Sequence, residues 1–162
     1  MGKNDEAGRL GLLREAREIV QRLVEIAFVL EKAGILHRDI KPAKVIRGEE
    51  EMLKLVDFGF ARRIPTKVAE ISACGSPAFC MDYSDEYQDV RCIGQIGFQM
   101  LLGDNFSEIQ QIEQSKAATL KKNWGNSTAV LAFVKVLNKM IQPKTTTASK
   151  ALELVNGLKA HF

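Results

Sequence analysis

A chain of 162 residues that is 46% hydrophobic and 27% charged has the make-up of one folded domain, able to bury about 70% of its extended-chain surface. Its net charge of +3 comes from mixed signs, Glu49-Glu50-Glu51 against Arg62-Arg63 and Lys121-Lys122, which excludes a nucleic-acid footprint. No apolar run of 18 residues and no secretory core is present, so neither a membrane span nor an export signal is expected.

The predicted elements are mostly helical. Leu13, Ala16, Val20, Leu23, Ala27 and Leu30 recur at steps of three and four, which predicts one core-facing stripe on a helix that Gly34 ends. Val45-Ile46-Arg47 and Met52-Leu53-Lys54-Leu55-Val56 are short apolar runs around the polar stretch 48–51, the pattern of two strands joined by a turn. Ile93, Ile96, Gly97, Met100 and Leu101 make an apolar helix suited to the centre of the domain. A helical stretch is expected from Glu108 to Lys121, and Val130, Val134, Leu137 and Ile141 form a further stripe before Pro143. Trp124, beside Gly125, reads as a loop-closing ring packed on the core, with an exposed partner anchor as the alternative. Cys74, Cys80 and Cys92 are odd in number and lack metal-ligand spacing, which points to free thiols in a reducing, cytoplasmic compartment. Met1-Gly2 is followed by Glu6 where myristoylation wants Ser or Thr.

The chemistry is concentrated between residues 37 and 59. His37-Arg38-Asp39-Ile40-Lys41-Pro42-Ala43-Lys44 stands 18 residues, Asp to Asp, before Asp57-Phe58-Gly59, and the hairpin between them lets both carboxylates face one cleft. Together these motifs resemble the catalytic and metal-binding loops of eukaryotic-type serine/threonine protein kinases. The likeness continues in Gly75-Ser76-Pro77-Ala78-Phe79, similar to the end of that family's activation loop, and in Asp89-Val90-Arg91-Cys92-Ile93-Gly94, similar to the opening of its central helix with Arg91 in place of Trp. The stretch from Leu137 to Ala148 resembles its closing segment. The resemblance implies a mainly α fold with a small β-hairpin, the kinase C-terminal lobe, over residues 10–162, with residues 1–9 as an N-terminal extension. It further implies Asp39 as proton acceptor, Lys41 as phosphate contact and Asp57 as magnesium ligand. It gives His37 a packing role, Asp89 a tether on the catalytic loop, and Arg38 a phosphorylated activation-loop residue as partner, with Thr66, Ser72 and Ser76 as available hydroxyls.

The departures from that pattern point away from catalysis. Only 36 residues precede His37, and they hold no Gly-rich phosphate loop, paired lysine or helix glutamate; Gly8-Arg9-Leu10-Gly11 has the wrong spacing for a phosphate cradle. Phosphoryl transfer depends on positioning and electrostatics, so losing those parts removes most of it. Lys44 stands where the family has a metal-binding Asn, and an ammonium repels a cation and has no acceptor atom. It is expected either to pair with Asp57 in the metal's place or to swing into solvent. Met81-Asp82-Tyr83 and Thr146 replace both members of a buried Glu-Arg pair, a joint loss that costs far less than losing one.

The expectation is a truncated pseudokinase, similar in architecture to viral proteins that consist of a kinase C-terminal lobe, with no cofactor of its own. Its expected partner is a protein kinase or a kinase N-terminal lobe, reached through Val45, Leu55 and Phe58, or else a kinase substrate, and neither nucleic acid nor membrane. The alternative is a serine/threonine kinase C-terminal lobe that works with ATP and magnesium once a second chain supplies the other lobe.

Overall fold

The computed structural model describes residues 3–49, 52–64, 86–103, 113–142 and 146–158. Its helices are α1 (Lys3–Lys32), α2 (Gln88–Leu102), α3 (Glu113–Trp124), α4 (Thr128–Ile141) and α5 (Ala148–Asn156). Four short strands, β1 (Ile35–Leu36), β2 (Val45–Arg47), β3 (Leu53–Leu55) and β4 (Arg62–Arg63), form two antiparallel pairs, β1 with β4 and β2 with β3. The mainly helical fold with its small hairpin is that of a kinase-like C-terminal lobe.

Helix α2 is the axis of the lobe. Every residue from Gln88 to Phe98 is buried, along with Leu101 and Leu102, which requires partners all round: α1 on one side and α4 on another. Close approach is set by small residues. A Cβ on Gly97 would stand 2.5 Å from Leu137 Cδ2, and one on Gly94 would stand 2.8 Å from Ile141 Cγ2 and 3.1 Å from Met140 Cβ.

The α1 stripe packs as its periodicity predicts, with Leu13, Ala16, Val20, Leu23 and Ala27 buried; Val24 joins them, and Leu30 is half-buried. The helix starts at Lys3, so residues assigned to an extension continue into it without a break. It stops where Gly34 takes φ +70°, a left-handed conformation that costs glycine nothing. On α4 the buried stripe is Val130, Phe133, Val136, Leu137 and Met140, while Val134 and Ile141 are half-buried at its edges. The buried arc thus keeps Val130 and Leu137 of the expected face and adds Phe133, Val136 and Met140, while Leu137, Met140 and Ile141 stand against Gly94 and Gly97 of α2.

Long-range polar contacts lock the ends. Glu31 Oε2 accepts the Ala148 N–H at 2.7 Å and its Oε1 accepts the Ser149 N–H at 3.3 Å, so a carboxylate from the end of α1 caps the positive end of α5. Thr147 adds the local cap, Oγ1 accepting from Lys150 N at 3.2 Å. Thr146 is buried, and its hydroxyl donates to the Lys139 carbonyl at 2.9 Å; the position where the family keeps an arginine is satisfied inside the lobe. Trp124 closes α3 onto α2, its Nε1–H donating to the Leu101 carbonyl at 2.9 Å, the loop-closing role of the two expected. The helix expected from Glu108 is described from Glu113 and runs on to Trp124. Residues 65–85, 104–112 and 143–145 lie outside the described set, and with them Thr66, Ser72, Ser76, Cys74, Cys80, the segments 75–79 and 81–83, and Pro143. Cys92 is buried and takes part in no disulfide. Among the described residues no helix is long and apolar enough to cross a membrane.

Candidate active site

The loop from His37 to Lys44 is fastened from below by the first turn of α2. Asp89 accepts the His37 N–H on Oδ2 at 2.7 Å and the Arg38 N–H on Oδ1 at 2.8 Å. Burial pushes its carboxyl pKa up, and the two N–H donors with the nearby His37 and Arg38 oppose that shift. Gln88 completes the clasp, its Nε2 donating to the Arg38 carbonyl at 2.9 Å. Arg38 itself is buried, at φ +69°, a conformation non-glycine residues adopt only when their surroundings impose it. Here Asp89 and Gln88 impose it, holding the N–H and C=O of one peptide turn.

His37 joins this loop to the second motif. Its Nδ1 accepts the Asp39 N–H at 3.3 Å, which fixes the proton on Nε2, 3.2 Å from the Val56 carbonyl. The ring also meets the Phe58 ring edge-on, centroids 4.7 Å apart. A buried imidazole therefore bridges the strand end at Val56, the ring of Phe58 and the backbone of Asp39.

Asp39 is buried, and Lys41 Nζ lies 3.1 Å from its Oδ2. Pro42 starts a 3₁₀ turn over Pro42–Lys44, closed by Lys44 N–H to the Lys41 carbonyl at 2.9 Å, and this turn aims Lys44 at the strand end opposite. The hairpin sets the far side: Val45 pairs with Leu55, Ile46 with Lys54 and Arg47 with Leu53, and Val56 N–H donates to the Lys44 carbonyl at 3.0 Å. Asp57 follows directly, at φ +68°, with Oδ1 accepting the Gly59 N–H at 3.2 Å. Its Oδ2 accepts from Lys44 Nζ, so of the two expected positions the lysine takes the one against Asp57. That hydrogen bond is the main cause holding the Lys44 ammonium above its ordinary pKa and the Asp57 carboxyl below its own, the latter helped by Gly59.

These residues do not fit a divalent cation. An ammonium without acceptor atoms already satisfies the one carboxylate oxygen that faces it.

Of the residues expected to meet a partner, Phe58 is exposed, whereas Val45 and Leu55 are half-buried and pack against the core. Strand alternation turns Ile46 outward instead, and it is exposed together with Met52, Phe58 and Phe60. The sequence reading missed Gln88, Ile46 and Phe60. The period of two was the available signal for Ile46, while the hydrogen bond of Gln88 is a product of tertiary folding.

A protein kinase domain model matches residues 9–160. The chain belongs to the protein kinase domain family. It is 34% identical over 103 residues to ribosomal protein S6 kinase alpha-4 of Mus musculus, which takes in 55% of this chain and 13% of that protein. It is 37% identical over 101 residues to serine/threonine-protein kinase unc-51 of Caenorhabditis elegans, covering 50% and 12%. With the Aurora kinase of Encephalitozoon cuniculi it shares 27% identity over 106 residues, covering 62% and 38%. The chain thus spans between 12% and 38% of the length of these kinases. The match takes in the whole loop from His37 to Lys44, Asp57 and Asp89.

Proposed function

We propose that this kinase-like domain transfers no phosphate and instead acts by binding, regulating a protein kinase through the face on which a kinase N-terminal lobe packs. The observation that carries the reading is the Lys44–Asp57 pair. The carboxylate that holds magnesium in the family is neutralised by a tethered cation, and phosphoryl transfer without its metal loses the main stabiliser of transition-state charge. Ile46 and Met52 of the hairpin segment and Phe58 and Phe60 just after it leave large apolar side chains exposed, which gives a second lobe something to cover. The test is calorimetry with magnesium and ATP followed by a phosphotransfer assay on generic protein substrates, beside a binding measurement against a separately produced kinase N-terminal lobe. Neither nucleotide binding nor turnover is expected, and the lobe should bind. Micromolar magnesium-dependent ATP binding with turnover abolished by Asp57→Ala would overturn the proposal.

A second reading has its own support. Asp39, Lys41 and the Asp89 clasp keep a connected arrangement, Lys41 Nζ standing 3.1 Å from Asp39 Oδ2, and one of the relatives named above is called a serine/threonine-protein kinase. In that reading the chain supplies the substrate half of an enzyme, and a second polypeptide supplies the nucleotide half. Mixing with an N-terminal lobe would then create Asp39-dependent activity rather than a silent complex.

A further inference from the structure

Beside the hairpin lies an open pocket of about 370 Å³, lined by neither Lys44 nor Asp57 but with Pro42 among its lining residues. Ile19 and Leu23 of α1, Val45 and Leu53 of the hairpin, and Ile96 and Met100 of α2 form its walls. Three separate elements thus line this open-sided pocket, and its size falls in the range of roughly 300–1,000 Å³ typical of small-molecule sites.

Two polar side chains reach this space, and they restrict what it can take. Arg47 is held by Glu15, its Nη2 2.9 Å from Oε1, so the cavity offers no uncommitted cation to a phosphate or carboxylate. Gln99 is different. Its Oε1 is buried and has no hydrogen-bond partner among the described residues, an arrangement that leaves an acceptor stripped of water and unpaid. The terminal torsion of a glutamine is soft, so a small rotation presents that oxygen to an occupant. Met100 adds a thioether, which favours contact with the edge of an aromatic ring.

We infer that this cavity is a binding site for a small, uncharged aromatic ligand carrying an N–H donor, which seats its ring between Val45, Ile96 and Met100 and donates to Gln99. The occupant is apolar because the walls are, uncharged because Arg47 is already paired, and a donor because the orphaned group is an acceptor. The site is distinct from the cleft around Asp57 and does not depend on whether that cleft is catalytic.

Indole and 1-methylindole serve as probes, since they differ only in the N–H and the methyl group that replaces it. Titrated into the full ¹⁵N-labelled chain, indole should shift the side-chain amide signals of Gln99 and the backbone signals of Val45, Ile96 and Met100. Its dissociation constant should be roughly 0.1–1 mM, ordinary for a ligand of about nine heavy atoms. 1-Methylindole should bind about ten-fold more weakly, because it leaves the carbonyl unpaired. Gln99→Leu, close in shape to the native side chain, should bring the two probes to equal affinity. No saturable shift with indole up to about 10 mM, equal affinities of the two probes for the native chain, or shifts confined to Ile46 and Phe58 would each overturn the inference. The comparison of the two probes on the native chain decides the matter even where the Gln99→Leu variant fails to fold.

Discussion

Lys44 donates a hydrogen bond to Asp57 across the base of the hairpin, joining the last residue of the 3₁₀ turn to the second residue after β3. The resemblance to the kinase motif implies metal ligands at both positions, and here a lysine stands at one of them. Lys44→Asn should reverse that exchange by freeing the carboxylate and restoring an acceptor oxygen beside it. Magnesium titrations followed by thermal unfolding should show no stabilisation of the native chain and a saturable upward shift for Lys44→Asn. An equal response in both would mean that the lysine does not exclude the ion.

The same pair predicts a flat pH response with two shoulders. Asp57 is shifted below its ordinary value of 3.8, so its contribution is fully present above that value and is lost as pH falls through the lowered folded pKa. Lys44 is shifted above 10.5, so its contribution is fully present below that value and is lost as pH rises through the raised folded pKa. The difference in melting temperature between the native chain and Lys44→Met should therefore be constant from about pH 5 to pH 9 and should shrink only below and above the two ordinary values. A difference that changes between pH 6 and pH 8 would assign the pH dependence to some other group.

Asp89 holds two backbone donors in a fully buried place. Asp89→Ala leaves both without an acceptor, at about 1 to 3 kcal/mol each, and should lower unfolding free energy in urea accordingly. Asp89→Asn keeps one carbonyl oxygen for one of the donors and should cost less than the alanine. Asp39→Asn, by comparison, should preserve both fold and partner binding if binding alone is the protein's business. Loss of the biological effect with binding intact would return catalysis to the account.

Gly94→Ala should destabilise the lobe by about 1 to 3 kcal/mol, although alanine is the better helix former by roughly 1 kcal/mol. The added methyl would meet Met140 Cβ at 3.1 Å and the Leu137 carbonyl at 3.4 Å, atoms close to a backbone that cannot turn aside as a side-chain tip does. Chemical denaturation of the single variant is sufficient. A stabilised variant would show that α2 and α4 can separate at little cost.

The exposed apolar face gives a paired test. Ile46→Glu, on the outer side of the hairpin, should leave unfolding free energy within about 0.5 kcal/mol of native and should weaken binding of a kinase N-terminal lobe. Val45→Glu, half-buried against the core, should lower stability itself, which makes it unsuitable as an interface probe. Lys121→Glu on α3 should change neither. If only Lys121→Glu interferes with binding, the partner meets the distal end of the lobe and a substrate-like occupant is the better reading.

The sequence by itself determined the family motif, the two-strand hairpin between its halves, the core face of α1 and the presence of a lysine at the position of the family's Asn. These are short-range properties: a period of 3.6 or 2, a turn of fixed length, and residue types at fixed spacing. Only the tertiary structure decided which of the two open positions Lys44 takes, because that depends on hairpin register bringing a 3₁₀ turn and a strand end together. It also decided the facing of α4, where Phe133 and Met140 rather than Val134 and Ile141 go inside. The periodicity of an apolar helix allows several buried arcs, and the neighbour that packs against it selects one. The cap that Glu31 places on α5 and the cavity beside Gln99 belong to the same class. Each joins side chains separated widely along the chain, and no local pattern encodes a meeting that only packing around α2 brings about.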